Sequence, residues 1–256
     1  MLKSWLEHPL TRGLSIDDPQ VTDLRQRILQ EKRFLRDIYT EWYQAIIAAL
    51  PPCPGAVLEL GSGAGFLRQF LPNVITSEIF VCCGIDAVLD AQQLPLADNS
   101  LAAIVMTDVL HHMGQPRRFL HEAGRCLRPG GRVVMIEPWV SRWSTLMYTA
   151  LHHEPFRPQS ATWEFPTSGP LSGANGAMPW MIFVRDRSQF LHAFPDWHIV
   201  TIQPMLPFRY LLSGGVSMRS LMPSATSGLW RRLEAAMHPW IDHWAMFALI
   251  VLEYSV

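Results

Sequence analysis

Four short apolar runs between residues 56 and 137 leave this chain few architectures. "AVLEL" (56–60), "NVITSEI" (73–79), "LAAIVMTD" (101–108) and "RVVMIE" (132–137) suit strands rather than helices, being short and bounded by turn residues. "LAAIVMTD" is apolar without alternation, as a strand covered on both faces of a parallel sheet must be. Between the runs lie a glycine turn with a short helix ending near Pro72, and a turn-rich stretch "IDAVLDAQQLPLADNS" (85–100) that holds a further short strand. A helix from about Pro116 to Leu127 follows, stopped by "RPGG" (128–131). Strand, helix, strand in succession predicts an α/β fold around a parallel sheet with right-handed crossovers.

The flanks extend this plan. Residues 19–49 read as helical, opened by Asp18 and Pro19, with Leu24, Ile28, Phe34, Leu35, Ile38, Trp42 and Ile46 on one face and "PPCPG" (51–55) as the stop. After Pro138 the pattern gives way to a stretch rich in Pro, Gly, Trp and His, which reads as an insertion over the sheet edge. Residues 185–194 and 229–240 read as helices, and 197–205 and 246–254 as the strands that complete the sheet. The divisions are 1–50, a helical segment, and 51–256, one domain whose 139–245 includes the insertion.

Composition narrows the function classes. With 256 residues, 49% hydrophobic and 17% charged, the chain suits a single domain with a generous core. Net charge is −1, and the arginines, with only Lys3 and Lys32 as lysines, form no basic block, so no nucleic-acid partner is expected. "MLKSWLEHPLTRG" lacks a signal-peptide core, and "WAMFALIVL" (244–252) is shorter than the roughly 20 residues a membrane span needs. Cys53, Cys82, Cys83 and Cys126 make no C-x-x-C pair, and the expectation is a cytoplasmic protein with no transmembrane segment.

"AVLELGSGAGFL" (56–67) sets an acid, Glu59, two positions before a glycine-rich turn. A dinucleotide turn needs a third glycine for close packing beneath a pyrophosphate, and here Phe66 occupies that place. A carboxylate beside the turn repels phosphate. S-adenosylmethionine suits both features: it has no phosphate, carries an ammonium and a sulfonium, and its carboxylate can meet the N-terminus of the helix after the turn. Glu78, near the end of the second strand, is placed to accept from both hydroxyls of a ribose. Asp90 suits an adenine amine, with Ala91 supplying backbone, although an acid in a turn also serves as a plain turn former.

The segments "VLELGSGAG", "SEI", "DAQQLPLADNSLAAIVMTDVLHHM" and "FLHEAGRCLRPGGRVVMIEP" resemble, in order and spacing, the class I S-adenosylmethionine-dependent methyltransferases, in particular the type 11 group. The resemblance covers about residues 55–138 and departs at "IFVCCGIDA" (79–87). It implies a Rossmann-like doubly wound sheet of about seven strands with the last antiparallel, and N-terminal helices that lid the cleft. It also implies that Glu59, Gly61, Ser62, Gly63 and Gly65 surround the methionine part of the cofactor and that Glu78 holds the ribose. Asp90 and Ala91 would flank the adenine, and Thr107 and Asp108 the sulfonium.

Candidates for the chemistry cluster after the fourth strand. His111 and His112 are the foremost base candidates, one of the two facing the cleft, the competing role being to pack the following turn. "DVLHH" also resembles the "ExxEH" segment of quinone-pathway O-methyltransferases that hold a divalent metal, but His111 stands where that pattern has a carboxylate, and no metal is expected. Glu137 either binds the acceptor or pairs with an arginine. "LHHEP" (151–155) puts His152, His153 and Glu154 together and reads as a solvated loop, the competing reading being a metal or acceptor site. Tyr39 and Tyr43 can address an acceptor through their hydroxyls, while Phe34 and Trp42 read as core. Trp139, Trp143, Trp163, Trp180, Met178, Met181, Phe183, Met205, Phe208 and Tyr210 suggest an adaptable apolar wall and a small, partly apolar acceptor, methylated on oxygen. The rival readings are a nicotinamide-dependent oxidoreductase, which Phe66 and Glu59 oppose, and a non-catalytic nucleoside-binding scaffold subunit.

Overall fold

A computed structural model describes residues 6–151, 154–167, 169, 171 and 173–255. Its centre is a seven-stranded sheet: β1 (Ala56–Leu60), β2 (Ile75–Glu78), β3 (Ala87–Val88), β4 (Leu101–Thr107), β5 (Leu127–Pro138), β6 (Trp197–Met205) and β7 (Phe247–Tyr254), in the order β3-β2-β1-β4-β5-β7-β6. β1 to β5 pair in parallel, and β7 runs antiparallel to both β5 and β6. This is the Rossmann-like doubly wound sheet that the sequence predicts. The order reverses direction between β1 and β4, which opens a crevice at the carboxyl ends of those strands, where ligands bind in open α/β sheets.

Burial explains the strands. Ala103, Ile104, Val105 and Met106 of β4 are fully buried, as are Val133 to Ile136 of β5. β5 starts five residues earlier than the "RVVMIE" run, because the "RPGG" stretch continues the strand through a register shift instead of ending in a free turn. Helix α3 (Pro116–Cys126) starts with proline at its first turn and packs Phe119, Leu120 and Ala123 on the sheet.

The N-terminal helix is two helices, α1 (Pro19–Glu31) and α2 (Arg33–Ala48), broken at Lys32. Asp18 caps α1 through Gln20 N. The break coincides with a distant contact: Lys32, whose backbone stands at φ −86°, ψ 88°, donates through Nζ to the carbonyls of Ser213, Gly215 and Met218. In α2, Phe34 and Trp42 are core residues.

One expectation needs correction. The glycine turn is followed only by a 3-10 turn, Leu67–Gln69, so no helix N-terminus meets a ligand there. The insertion, expected over the sheet edge, meets the loop that follows β4 at the carboxyl end of the sheet, where Asn175 N donates to His111 O (2.9 Å) and Phe165 N to Gly114 O (3.2 Å). Within it lie α4 (Arg142–Leu151) and a helical stretch, Met178–Arg185, that ends in a π turn. Of the described residues, no helix is long and apolar enough to cross a membrane.

Candidate active site

A cleft of about 1550 Å³, counting its solvent-open mouth, lies over the carboxyl ends of β1, β2, β4 and β5. The glycine turn forms its floor on one side. Gly61 has φ +68°, and Val109 packs where its side chain would stand, so only glycine fits. Ser62 knits the turn to the sheet: its amide donates to Ser77 O and its hydroxyl accepts from Ser77 N. Gly65 N donates to Ser62 O at 2.7 Å, and Phe66 N donates to the Tyr43 hydroxyl at 3.1 Å. The turn is therefore held from α2 in place of the absent helix.

Glu78 accepts from Gly63 N (3.1 Å) and from Ile79 N (2.8 Å), one bond to each carboxylate oxygen. Burial pushes its carboxyl up, against the pull of those two bonds. Burial pushes Glu59 up to about 7, with Ser62 opposing and the Glu78 charge adding. Glu59, Glu78, Asp90, Ala91, Gly61, Gly65, Thr107 and Asp108 all line the cleft. Ser62 and Gly63 line a smaller pocket behind the turn, together with Glu59 and Gly65. Asp90 is exposed and also forms a local turn by accepting from Gln92 N (2.9 Å).

After β4, Asp108 takes φ +65°, a strained value for a residue other than glycine, and Leu110–His112 form a 3-10 turn. Glu137 builds this corner. One oxygen accepts from Val109 N (2.9 Å) and Leu110 N (2.7 Å), and the other lies 2.8 Å from His111 Nδ1. Glu137 is fully buried, so it neither pairs with an arginine nor stands on the cleft wall. His111 is buried with it, and His112 is the ring that lines the cleft. Burial pulls His111 down, but its bond to Glu137 and the nearby Glu154 and Asp108 carboxylates hold it well above the ordinary imidazole range. Burial and the neighbouring His111 charge lower His112 to about 3. Burial raises Asp108 to about 6, opposed by His111.

The acceptor-side wall differs from the expected one. Tyr39, Met113, Tyr148, Phe156, Tyr210 and Phe247 line it, with Tyr148 and Phe156 stacked at 4.7 Å. Of the aromatic and methionine residues singled out in 139–210, Tyr210 alone lines the cleft. Met178, Met181 and Phe183 are core, and Trp143 and Trp163 donate their indole N–H to Pro207 O and Asp186. Glu154 of "LHHEP" is no solvated-loop acid: it lines the cleft, with Oε2 3.5 Å from His111 Nε2 and Oε1 3.9 Å from His112 Nε2. His152 and His153 lie outside the described residues. Arg25 of α1, which carried no signal in the sequence, is the one arginine or lysine among the described lining residues, and its Nε is buried without a hydrogen-bond partner.

Comparison with known proteins bears on the domain and its fold. Residues 58–135 match the methyltransferase domain family. A ubiquinone/menaquinone biosynthesis C-methyltransferase of Desulfotalea psychrophila is 30% identical over 115 residues, covering 38% of this chain and 47% of that protein. A malonyl-[acyl-carrier protein] O-methyltransferase of Hahella chejuensis is 29% identical over 101 residues, covering 32% and 36%. The chain thus spans less than half the length of these curated relatives. A solved structure of an S-adenosylmethionine-dependent methyltransferase from Thermotoga maritima, described as a possible histamine N-methyltransferase, superposes with a TM-score of 0.53 at 18% identity over 93% of this chain and 98% of that one, which speaks for the fold. Residues 58–135 thus carry a methyltransferase domain, set in a seven-stranded sheet of the Rossmann-like methyltransferase fold.

Proposed function

We propose that this chain transfers the methyl group of S-adenosylmethionine to a small, partly apolar acceptor, on oxygen. The observation that carries the reading is that one cleft brings together the glycine turn, the carboxylates Glu59, Glu78, Asp90 and Asp108, and the rings of Tyr148, Phe156, Tyr210 and Phe247. The glycine turn and its carboxylates suit a cationic nucleoside donor. Glu78 addresses the ribose hydroxyls, Asp90 and Ala91 the adenine, and Glu59 and Asp108 the positive charges. Arg25 takes the role of partner to the donor's carboxylate that the missing helix cannot fill.

Transfer is an in-line displacement. The bond from sulfur to methyl breaks as the bond from acceptor oxygen to methyl forms, and a neutral thioether leaves. The protein's task is alignment and exclusion of water, which the α1–α2 wall and the insertion serve as a lid. A hydroxyl acceptor also has to lose its proton. In the metal-free protein the proton passes to the pair formed by the cleft-lining His112 ring and Glu154; burial makes the ring a weak base, so the carboxylate keeps the proton. His111 acts behind it, as a positioning residue held by Glu137.

The relatives act on carbon in one case and oxygen in another, so the acceptor atom rests on this wall of proton-accepting groups rather than on kinship. Calorimetry with S-adenosylhomocysteine and, separately, NAD tests the donor. Binding of NAD alone would favour the oxidoreductase reading. A metabolite screen with labelled donor tests transfer. Tight S-adenosylhomocysteine binding with no labelled product from phenols, hydroxy acids or lipid-like intermediates would favour the scaffold reading.

A further inference from the structure

We infer that His111, His112 and Glu154 form a binding site for one divalent transition-metal ion at the acceptor end of the cleft. The outer nitrogens of the two rings and a Glu154 oxygen all lie within 4.8 Å of one another, although Glu154 comes from the insertion. Each ring is oriented from behind. His111 Nδ1 is 2.8 Å from the buried Glu137 carboxylate, and His112 Nδ1 is 3.4 Å from the Gly173 carbonyl. Metal-bound histidines characteristically have such a carboxylate or carbonyl on the nitrogen that does not ligate; at His111 the ion displaces the Nε2 proton that the flanking carboxylates favour, and Glu137 then holds the remaining proton on Nδ1.

The spacings favour a metal over a direct bond. His111 Nε2 is buried and lacks a hydrogen-bond partner, with Glu154 Oε2 at 3.5 Å and the His112 Nε2 to Glu154 Oε1 distance at 3.9 Å. Charge-assisted hydrogen bonds close to about 2.7–2.9 Å. Ligand atoms about 2.0–2.1 Å from a tetrahedral ion stand about 3.4 Å apart; the two histidines approach different Glu154 oxygens at 3.5 and 3.9 Å, and one ligand atom from each residue lies within 4.8 Å of the others. Two imidazoles and one carboxylate suit zinc or a similar first-row ion, not magnesium or calcium, which take oxygen. The set is not the one that the "DVLHH" pattern would supply. Asp108 faces His111 Nδ1 at 3.9 Å, and that nitrogen is already engaged by Glu137.

Three protein ligands leave a position open. His112 and Glu154 line the cleft, so that position faces the space assigned to the acceptor. The site would select an acceptor with an oxygen or nitrogen donor next to the reacting atom. With the ion bound, His112 is a ligand, and the ion in place of the ring promotes loss of the acceptor's proton. The ligand set stands on its own geometry, while the acceptor role rests on the methyltransferase reading.

The test uses the full chain, stripped with a chelator and titrated with Zn²⁺ against a chromophoric competitor, then with Co²⁺ followed by its visible absorption. One ion per chain is expected. Glu154→Gln and His112→Gln should each weaken binding by about 10–100-fold or more, with thermal unfolding confirming that both variants fold. Absence of stoichiometric binding, or unchanged affinity in both variants, overturns the site. S-adenosylhomocysteine calorimetry on the same samples separates the two readings. Donor binding without metal binding defeats this inference alone, and metal binding without donor binding defeats the donor reading alone.

Discussion

Glu137 Oε2 lies 2.8 Å from His111 Nδ1, and neither residue reaches solvent. The other Glu137 oxygen accepts from two backbone amides of the same corner, so one side chain satisfies three donors. Removing it leaves the ring and both amides buried and unpaired. Glu137→Ala should destabilise the protein by about 3–5 kcal/mol, measured by urea unfolding, and Glu137→Gln by less.

Behind the glycine turn, a Cβ at position 63 would stand 2.7 Å from Glu78 Oε2 and press on the Thr22 methyl. Gly63→Val should therefore dislodge Glu78 and weaken S-adenosylhomocysteine binding more than about tenfold in calorimetry. Gly228→Ala, at an open position of the helix Ser227–Ala236, should leave binding unchanged.

Glu59 gives a pH dependence with a definite sign. Its folded value of about 7 lies above the ordinary 4.5, so the unfolded chain releases this proton first. The stability it contributes is full below about pH 4.5 and declines as pH rises to about 7. A cationic ligand prefers the ionised form, so donor affinity should rise about tenfold between pH 6 and pH 8. Glu59→Gln should flatten both dependences, as calorimetry and thermal unfolding across that range would register.

Arg25 offers a test by ligand structure. If its guanidinium meets the donor's carboxylate, Arg25→Ala should lower S-adenosylhomocysteine affinity by about 10–100-fold. Affinity for 5′-methylthioadenosine, which lacks that carboxylate, should stay the same.

The sheet was legible because its strands announce themselves locally: the apolar run ending at Thr107 and the one ending at Glu137 needed no partner to be recognised. So were the acids at 59 and 78, whose positions follow from the strands that carry them. What stayed hidden depends on contacts between distant segments. The residue at the break, Lys32, bonds to carbonyls more than 180 residues away. Glu154 meets the histidines only through the path of the insertion, which has no periodicity to read. The aromatic wall was misjudged for the same reason, since a tryptophan-rich segment builds core and lining from one composition.

The Tyr43 hydroxyl that receives Phe66 N has a consequence for how this domain can be re-engineered. The stretch carrying the family signature, 58–135, is not a portable cassette, because part of its scaffolding is borrowed from upstream. Grafted behind a foreign leader sequence, it would arrive with a slack loop in place of a cradle, and chimeras between relatives should be cut before residue 19.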